Sequence, residues 1–125
     1  MAPTYTIMVS TEFAASHALR GYSGDCAQLH GHNWKVDVEV SASALNDLGM
    51  AIDFKALRAA ARAAVDRFDH RHLNDLPPFT SINPTAENIA ATLFAAIGTL
   101  INSPQLRLSA VTVHETDRAA VRYQE

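Results

Sequence analysis

Residues 30–42 read HGHNWKVDVEVSA, and the alternation in this stretch decides how the rest of the chain is arranged. Trp34, Val36, Val38 and Val40 alternate with Lys35, Asp37 and Glu39. That is the period-two pattern of a β-strand with one face on a core and the other in water. His30 and His32 share the parity of the tryptophan and the valines. They therefore project to the core side of the sheet, where two imidazoles without partners are costly.

Working outward, residues 4–13, TYTIMVSTEF, alternate through Tyr5, Ile7 and Val9 and are β-branched enough for a second strand. Downstream, Asp53 is placed to cap a helix through FKALRAAARAAVDRF, with Phe54, Leu57, Ala61, Val65 and Phe68 near the helical period. Thr85 caps a second helix with Ile89, Leu93, Phe94, Ile97 and Ile101 on one stripe, and Asn102, Ser103 and Pro104 end it. RLSAVTVHE then reads as a strand, with AAVRY returning beside it after a turn at 116–118. Its parities are Leu108, Ala110, Thr112 against Ser109, Val111, Val113; neither is charged, so its wet face is not specified. The order ββααββ predicts an α+β fold, an antiparallel sheet covered on one face by two helices.

A chain of 125 residues with 48% hydrophobic content is expected to form a single domain over 1–125. Ten Lys and Arg against thirteen Asp and Glu, scattered along the chain, give −3. This excludes a nucleic-acid footprint or a membrane-binding basic patch. No apolar run approaches the ~20 residues of a membrane span. A lone cysteine and the lack of a signal sequence before the first strand point to a reducing cytoplasm.

Six histidines, at 17, 30, 32, 70, 72 and 114, are many for this composition. His30 and His32 can aim ring nitrogens at one point from one strand, with Gly31 between them removing side-chain bulk. His17, in EFAASHAL, is the nearest third ligand if the first two strands pair. Three imidazoles with one open position is the pattern of a catalytic zinc. Cys26, four residues before His30, has three readings: a fourth ligand that closes a structural site, a small buried hydrophobe, or a thiol facing a substrate on the metal. Asp69 and His70 adjoin at a helix end, where Asp69 can orient and charge the imidazole. Glu115, in VTVHET, is either a solvated strand end or a carboxylate that accepts two parallel N–H groups.

Taken in order, FAASH at 13–17, CAQLHGHNW at 26–34, GMAIDF at 49–54, FDHRHLND at 68–75, NPTAEN at 83–88 and VTVHET at 111–116 resemble the 6-pyruvoyl-tetrahydropterin synthase superfamily. Within it, the short Cys-x3-His-Gly-His spacing resembles the bacterial 6-carboxy-tetrahydropterin synthase branch of queuosine biosynthesis. The resemblance covers nearly the whole chain. It implies the T-fold, with protomers joined edge to edge, typically as hexamers with sites between subunits. It also implies that His17, His30 and His32 bind zinc, that Cys26 is the proton-abstracting thiolate, that Asp69 and His70 are its partner couple, and that Glu115 anchors a pterin ring near Thr116, Thr85 and Glu87. The implied substrate is a pterin triphosphate, 7,8-dihydroneopterin triphosphate, with Lys35, Arg20 and Arg71 as candidates for the phosphates. Two alternatives stand beside this reading: the sister 6-pyruvoyl-tetrahydropterin activity, and a non-catalytic zinc- or pterin-binding homologue. The joint presence of Cys26, Asp69 and His70 argues against the second, because a binder needs none of them.

Overall fold

A computed structural model describes residues 3–24 and 27–125; Cys26 lies outside the described residues. The chain runs β1 (Tyr5–His17), β2 (His30–Ala42), α1 (Phe54–Asp66), β3 (Arg71–His72), α2 (Ala86–Ile101), β4 (Arg107–Thr116) and β5 (Ala119–Tyr123). The sheet order is β3-β1-β2-β4-β5, antiparallel except for the short parallel contact of β3 with β1. This is the expected α+β arrangement, with two additions. β1 continues through Ala14–His17 beyond the expected end at Phe13, and β3 pairs Arg71 and His72 with Ala15 and Ser16.

β1 and β2 pair along their full length, Tyr5 opposite Ala42 and His17 opposite His30. Odd residues of β1 and even residues of β2 face the helices: Val9, Phe13, Ala15, Trp34, Val36, Val38 and Val40 are all buried. Both helices start where their caps were expected. The Asp53 carboxylate accepts from the Lys55 N–H at 2.7 Å, and the Thr85 hydroxyl accepts from the Asn88 N–H at 3.1 Å. α1 buries Leu57, Ala61 and Val65, and α2 buries Ile89, Leu93 and Ile97. Phe54, expected in the core, is exposed. A first-turn side chain leans toward the helix N-terminus, and here it sits with Tyr5, Ile7, Leu45, Met50 and Ile52 around an apolar cavity.

β4 explains why its parity was unreadable. A bulge opposite Glu39 and Val40 pairs Leu108 with Val40 but Val111 with Val38, so the buried parity switches from even to odd within one strand. After the switch Val111, Val113 and Glu115 share the helix-covered face. The opposite face carries polar residues: His114 and Ser10 both hydrogen-bond Asp37, and Arg122 grips Glu39 with two contacts of 2.9 and 3.1 Å. Burial opposes the Asp37 charge, but Ser10, His114 and Lys35 outweigh it and hold the carboxyl below the usual carboxylate range.

Trp34 links core to site. It is fully buried, donates from Nε1 to the Ala15 carbonyl at 3.2 Å, and stacks on Phe13 with ring centroids 6.0 Å apart. Its edge meets His17 at 4.9 Å and His32 at 5.1 Å between centroids. Trp34→Ala is expected to cost about 3–5 kcal/mol, read as a lower urea midpoint at unchanged m value.

Candidate metal centre and adjoining site

The strand register builds the cluster. His17 lies directly opposite His30, and His32 lies opposite Ala15, so three imidazoles of one sheet face converge at the end of the β1–β2 ladder. Their ligand-capable nitrogens all lie within 4.8 Å of one another. His17, 1% exposed, is the buried polar side chain of the described residues. Gly31 is not required for this geometry: a Cβ there would meet only the Ala15 carbonyl oxygen, at 3.8 Å, an ordinary contact.

Carbonyl oxygens fix the tautomers. His17 Nδ1 lies 2.7 Å from the Pro84 carbonyl, and His30 Nδ1 lies 2.7 Å from that of Gln28. A carbonyl only accepts, so both Nδ1 atoms carry the proton and both Nε2 atoms present lone pairs. Those two Nε2 atoms face each other at 2.9 Å. Two lone pairs repel at that distance unless a proton or a metal ion lies between them. His32 Nε2 is buried and has no hydrogen-bond partner among the described residues. Burial, reinforced by the neighbouring imidazoles, pushes the His17 and His32 pKa values below the usual imidazole value, although the Pro84 carbonyl and Glu115 pull the other way for His17 and Glu115 does so for His32. Pre-oriented imidazoles whose Nε2 atoms converge on one point are what a metal ion requires. This group can hold one.

Glu115 adjoins it, with carboxylate oxygens 3.7 Å from His32 Nε2 and 4.0 Å from His17 Nε2. The same residue lines a cavity of about 500 Å³ with Arg20, Tyr22, Asn83, Thr85 and Glu87. Three of the four expected substrate residues, Glu115, Thr85 and Glu87, thus share one cavity. Thr116 does not line it; its hydroxyl accepts from the Arg118 N–H in the β4–β5 turn.

Asp69 and His70 lie elsewhere, at the outer edge of β1. Asp69 Oδ1 accepts from the Ala14 N–H at 2.9 Å, and the His70 N–H donates to the Ala14 carbonyl at 2.6 Å. His70 takes a left-handed backbone, φ 60°, and its Nδ1 lies 3.0 Å from Asp69 Oδ1. The Ala14 N–H, together with the His70 and Arg62 charges, holds the Asp69 carboxyl below the usual carboxylate range against the opposing effect of burial. His70 lines a groove with Ser16, Gly31, His32, Asn33 and His72, so it borders one ligand of the histidine cluster, but Glu115 is not part of that lining. That groove and the Glu115 cavity share no lining residue.

Sequence reading missed the Pro84 and Gln28 carbonyls, which no side-chain pattern reports, and Arg62, whose links to Asp69 depend on how α1 lies against β1. No helix of the described residues is long and apolar enough to cross a membrane.

The comparisons with known proteins agree with this architecture. A family model described as 6-pyruvoyl tetrahydropterin synthase matches residues 6–125. A Haemophilus influenzae protein named 6-carboxy-5,6,7,8-tetrahydropterin synthase is 30% identical over 141 residues, covering 94% of this chain and 98% of its own. A protein of Archaeoglobus fulgidus bearing that name provisionally is 37% identical over 91 residues, 73% of this chain and 74% of its own. Among solved structures, Caenorhabditis elegans 6-pyruvoyl tetrahydropterin synthase superposes with a TM-score of 0.88 at 27% identity, over 99% of this chain and 97% of that one.

Proposed function

The chain belongs to the 6-pyruvoyl tetrahydropterin synthase family, and from that premise we propose that it is a zinc-dependent 6-carboxy-5,6,7,8-tetrahydropterin synthase. It converts 7,8-dihydroneopterin triphosphate to 6-carboxy-tetrahydropterin, acetaldehyde and triphosphate, a step toward the 7-deazapurine queuosine. One observation carries the reading: three imidazoles with unpaired or mutually opposed Nε2 atoms, set beside a carboxylate at the mouth of a cavity.

His17, His30 and His32 would hold the zinc, which would supply Lewis acidity toward the hydroxyls of the pterin side chain. Glu115 orients the ring, because its carboxylate matches the two parallel N–H donors of the pterin amidine edge. Thr85 and Glu87 share that cavity. Cys26 Sγ takes a side-chain proton as thiolate. His70, with Nδ1 turned to the ionised Asp69, has Nε2 left to carry a proton to or from the substrate. The groove beside His70 and the Glu115 cavity share no lining residue, and the family resemblance implies sites between subunits; on that basis the couple is assigned to the site of a neighbouring copy in a homo-oligomer. Of the three phosphate candidates, Arg20 donates to the carbonyls of Phe79, Asn74 and Ile82, and Lys35 lies 4.0 Å from Asp37. Arg71 makes no ion pair or side-chain hydrogen bond with a described residue. Arg71 also lines the groove that holds His32 and His70, and we assign the phosphates to it.

Glu115→Gln is expected to raise KM by about 10-fold or more, since a charge-assisted pair is replaced by a mismatched amide, at unchanged zinc content. Zinc loss in that variant would make Glu115 a metal ligand instead. The function itself is tested by incubating zinc-loaded protein with dihydroneopterin triphosphate and identifying the product by mass. The 6-carboxy product is expected. A 6-pyruvoyl product, the second reading favoured by the likeness to the worm enzyme, would overturn the branch, and unchanged substrate would overturn the enzyme.

A further inference from the structure

The geometry points to Arg62 as a positioning residue for the reaction, one that holds the Asp69 carboxylate in the orientation His70 requires. The inference rests on the reading of Asp69 and His70 given above and adds a residue of α1 to it.

Arg62 reaches four acceptors. Its Nε lies 2.9 Å from Asp66 Oδ1, Nη1 donates to the Glu12 carbonyl at 2.6 Å and to Thr11 Oγ1 at 3.3 Å, and Nη2 donates to Asp69 Oδ2 at 2.9 Å. A guanidinium is planar with its donors in a fixed fork. Anchored on β1 at two points and on its own helix at a third, it presents Nη2 to Asp69 from a set direction.

Asp69 needs such a hold. It lies in the turn that ends α1, its N–H donating to the Val65 carbonyl at 3.1 Å, and the next residue, His70, has a left-handed backbone, uncommon for a residue other than glycine. Two bonds to the Ala14 main chain, one from its N–H to Asp69 Oδ1 and one from the His70 N–H to its carbonyl, tether the pair to β1, but they leave Oδ2 without a partner. Arg62 takes Oδ2, and Oδ1 is thereby kept for the Ala14 N–H and His70 Nδ1. Arg62, Asp69 and His70 also line one cavity of about 270 Å³ with Glu12, Ala14 and Asn33. The alternative is a helix-surface pair with Asp66, four residues on. That pair accounts for Nε alone and leaves the three contacts to β1 and Asp69 unexplained.

The test is a double-mutant cycle on the zinc-loaded enzyme with dihydroneopterin triphosphate: Arg62→Gln, Asp69→Asn and both together, with Arg62→Lys as the conservative variant. Arg62→Gln is expected to lower kcat by about 10- to 100-fold, the scale for loss of catalytic alignment, with KM and zinc content unchanged. It is expected to add no further loss in the Asp69→Asn background, and Arg62→Lys should recover part of kcat. Unchanged kcat in Arg62→Gln, or the same loss in both backgrounds with a lower urea midpoint, overturns the inference. Should Arg62→Gln fail to fold, Arg62→Lys takes its place in the cycle with the same criteria. Full activity in Asp69→Asn defeats the reading of Asp69 itself, whereas an inactive Asp69→Asn beside a fully active Arg62→Gln defeats only the role of Arg62.

Discussion

His17→Ala is expected to empty the metal centre and take turnover to background. His17 is the most deeply buried of the three imidazoles, held by the Pro84 carbonyl and backed by Trp34. Removing it leaves two ligands on one strand, a poor match for a tetrahedral ion that needs three protein ligands and an open position. Metal analysis after exhaustive dialysis should fall from one zinc per chain to a trace, and product should become undetectable in the mass assay. Chelation of the unaltered protein should lower its melting temperature, because a ligand that binds only the folded state stabilises it and its removal leaves two Nε2 lone pairs opposed at 2.9 Å. Retention of stoichiometric zinc by His17→Ala would break the account at its base.

Cys26→Ala is expected to keep zinc and lose about 10²- to 10⁴-fold in kcat, the range for removal of a positioned acid or base. Three imidazoles already complete a catalytic zinc site, so a thiol is not needed to hold the ion. A thiolate is an effective base only when its pKa lies near the working pH, and a neighbouring cation and an imidazolium lower it. The outcome separates the readings of Cys26 cleanly: lost metal makes it a fourth ligand, full activity makes it a packing residue, and only retained metal with lost turnover makes it the base.

Much of the fold was legible because β2 states its parity without ambiguity. Lys35, Asp37 and Glu39 mark the wet face, so Trp34 and the valines mark the core face, and His30 and His32 inherit their direction from them. The pairing of β1 with β2 then brings in His17 as the opposite residue of His30. The caps at Asp53 and Thr85 were equally readable, because each satisfies an exposed helix N–H by local chemistry. What failed to show depended on three-dimensional context. The β4 bulge breaks a period that only its partner strand defines. β3 is two residues long and exists because the connection after α1 lies along β1. Gly31 suggested crowding where the structure has room. The orienting carbonyls of Pro84 and Gln28 belong to the backbone, which every sequence carries alike.

The most direct measurement is X-ray absorption at the zinc edge of the purified, zinc-loaded protein. Ligation by His17, His30 and His32 predicts three nitrogen scatterers at about 2.0–2.1 Å with imidazole outer-shell features, and one light oxygen scatterer completing the shell. A sulfur scatterer at about 2.3 Å, or fewer than three imidazoles, would contradict the open three-histidine centre.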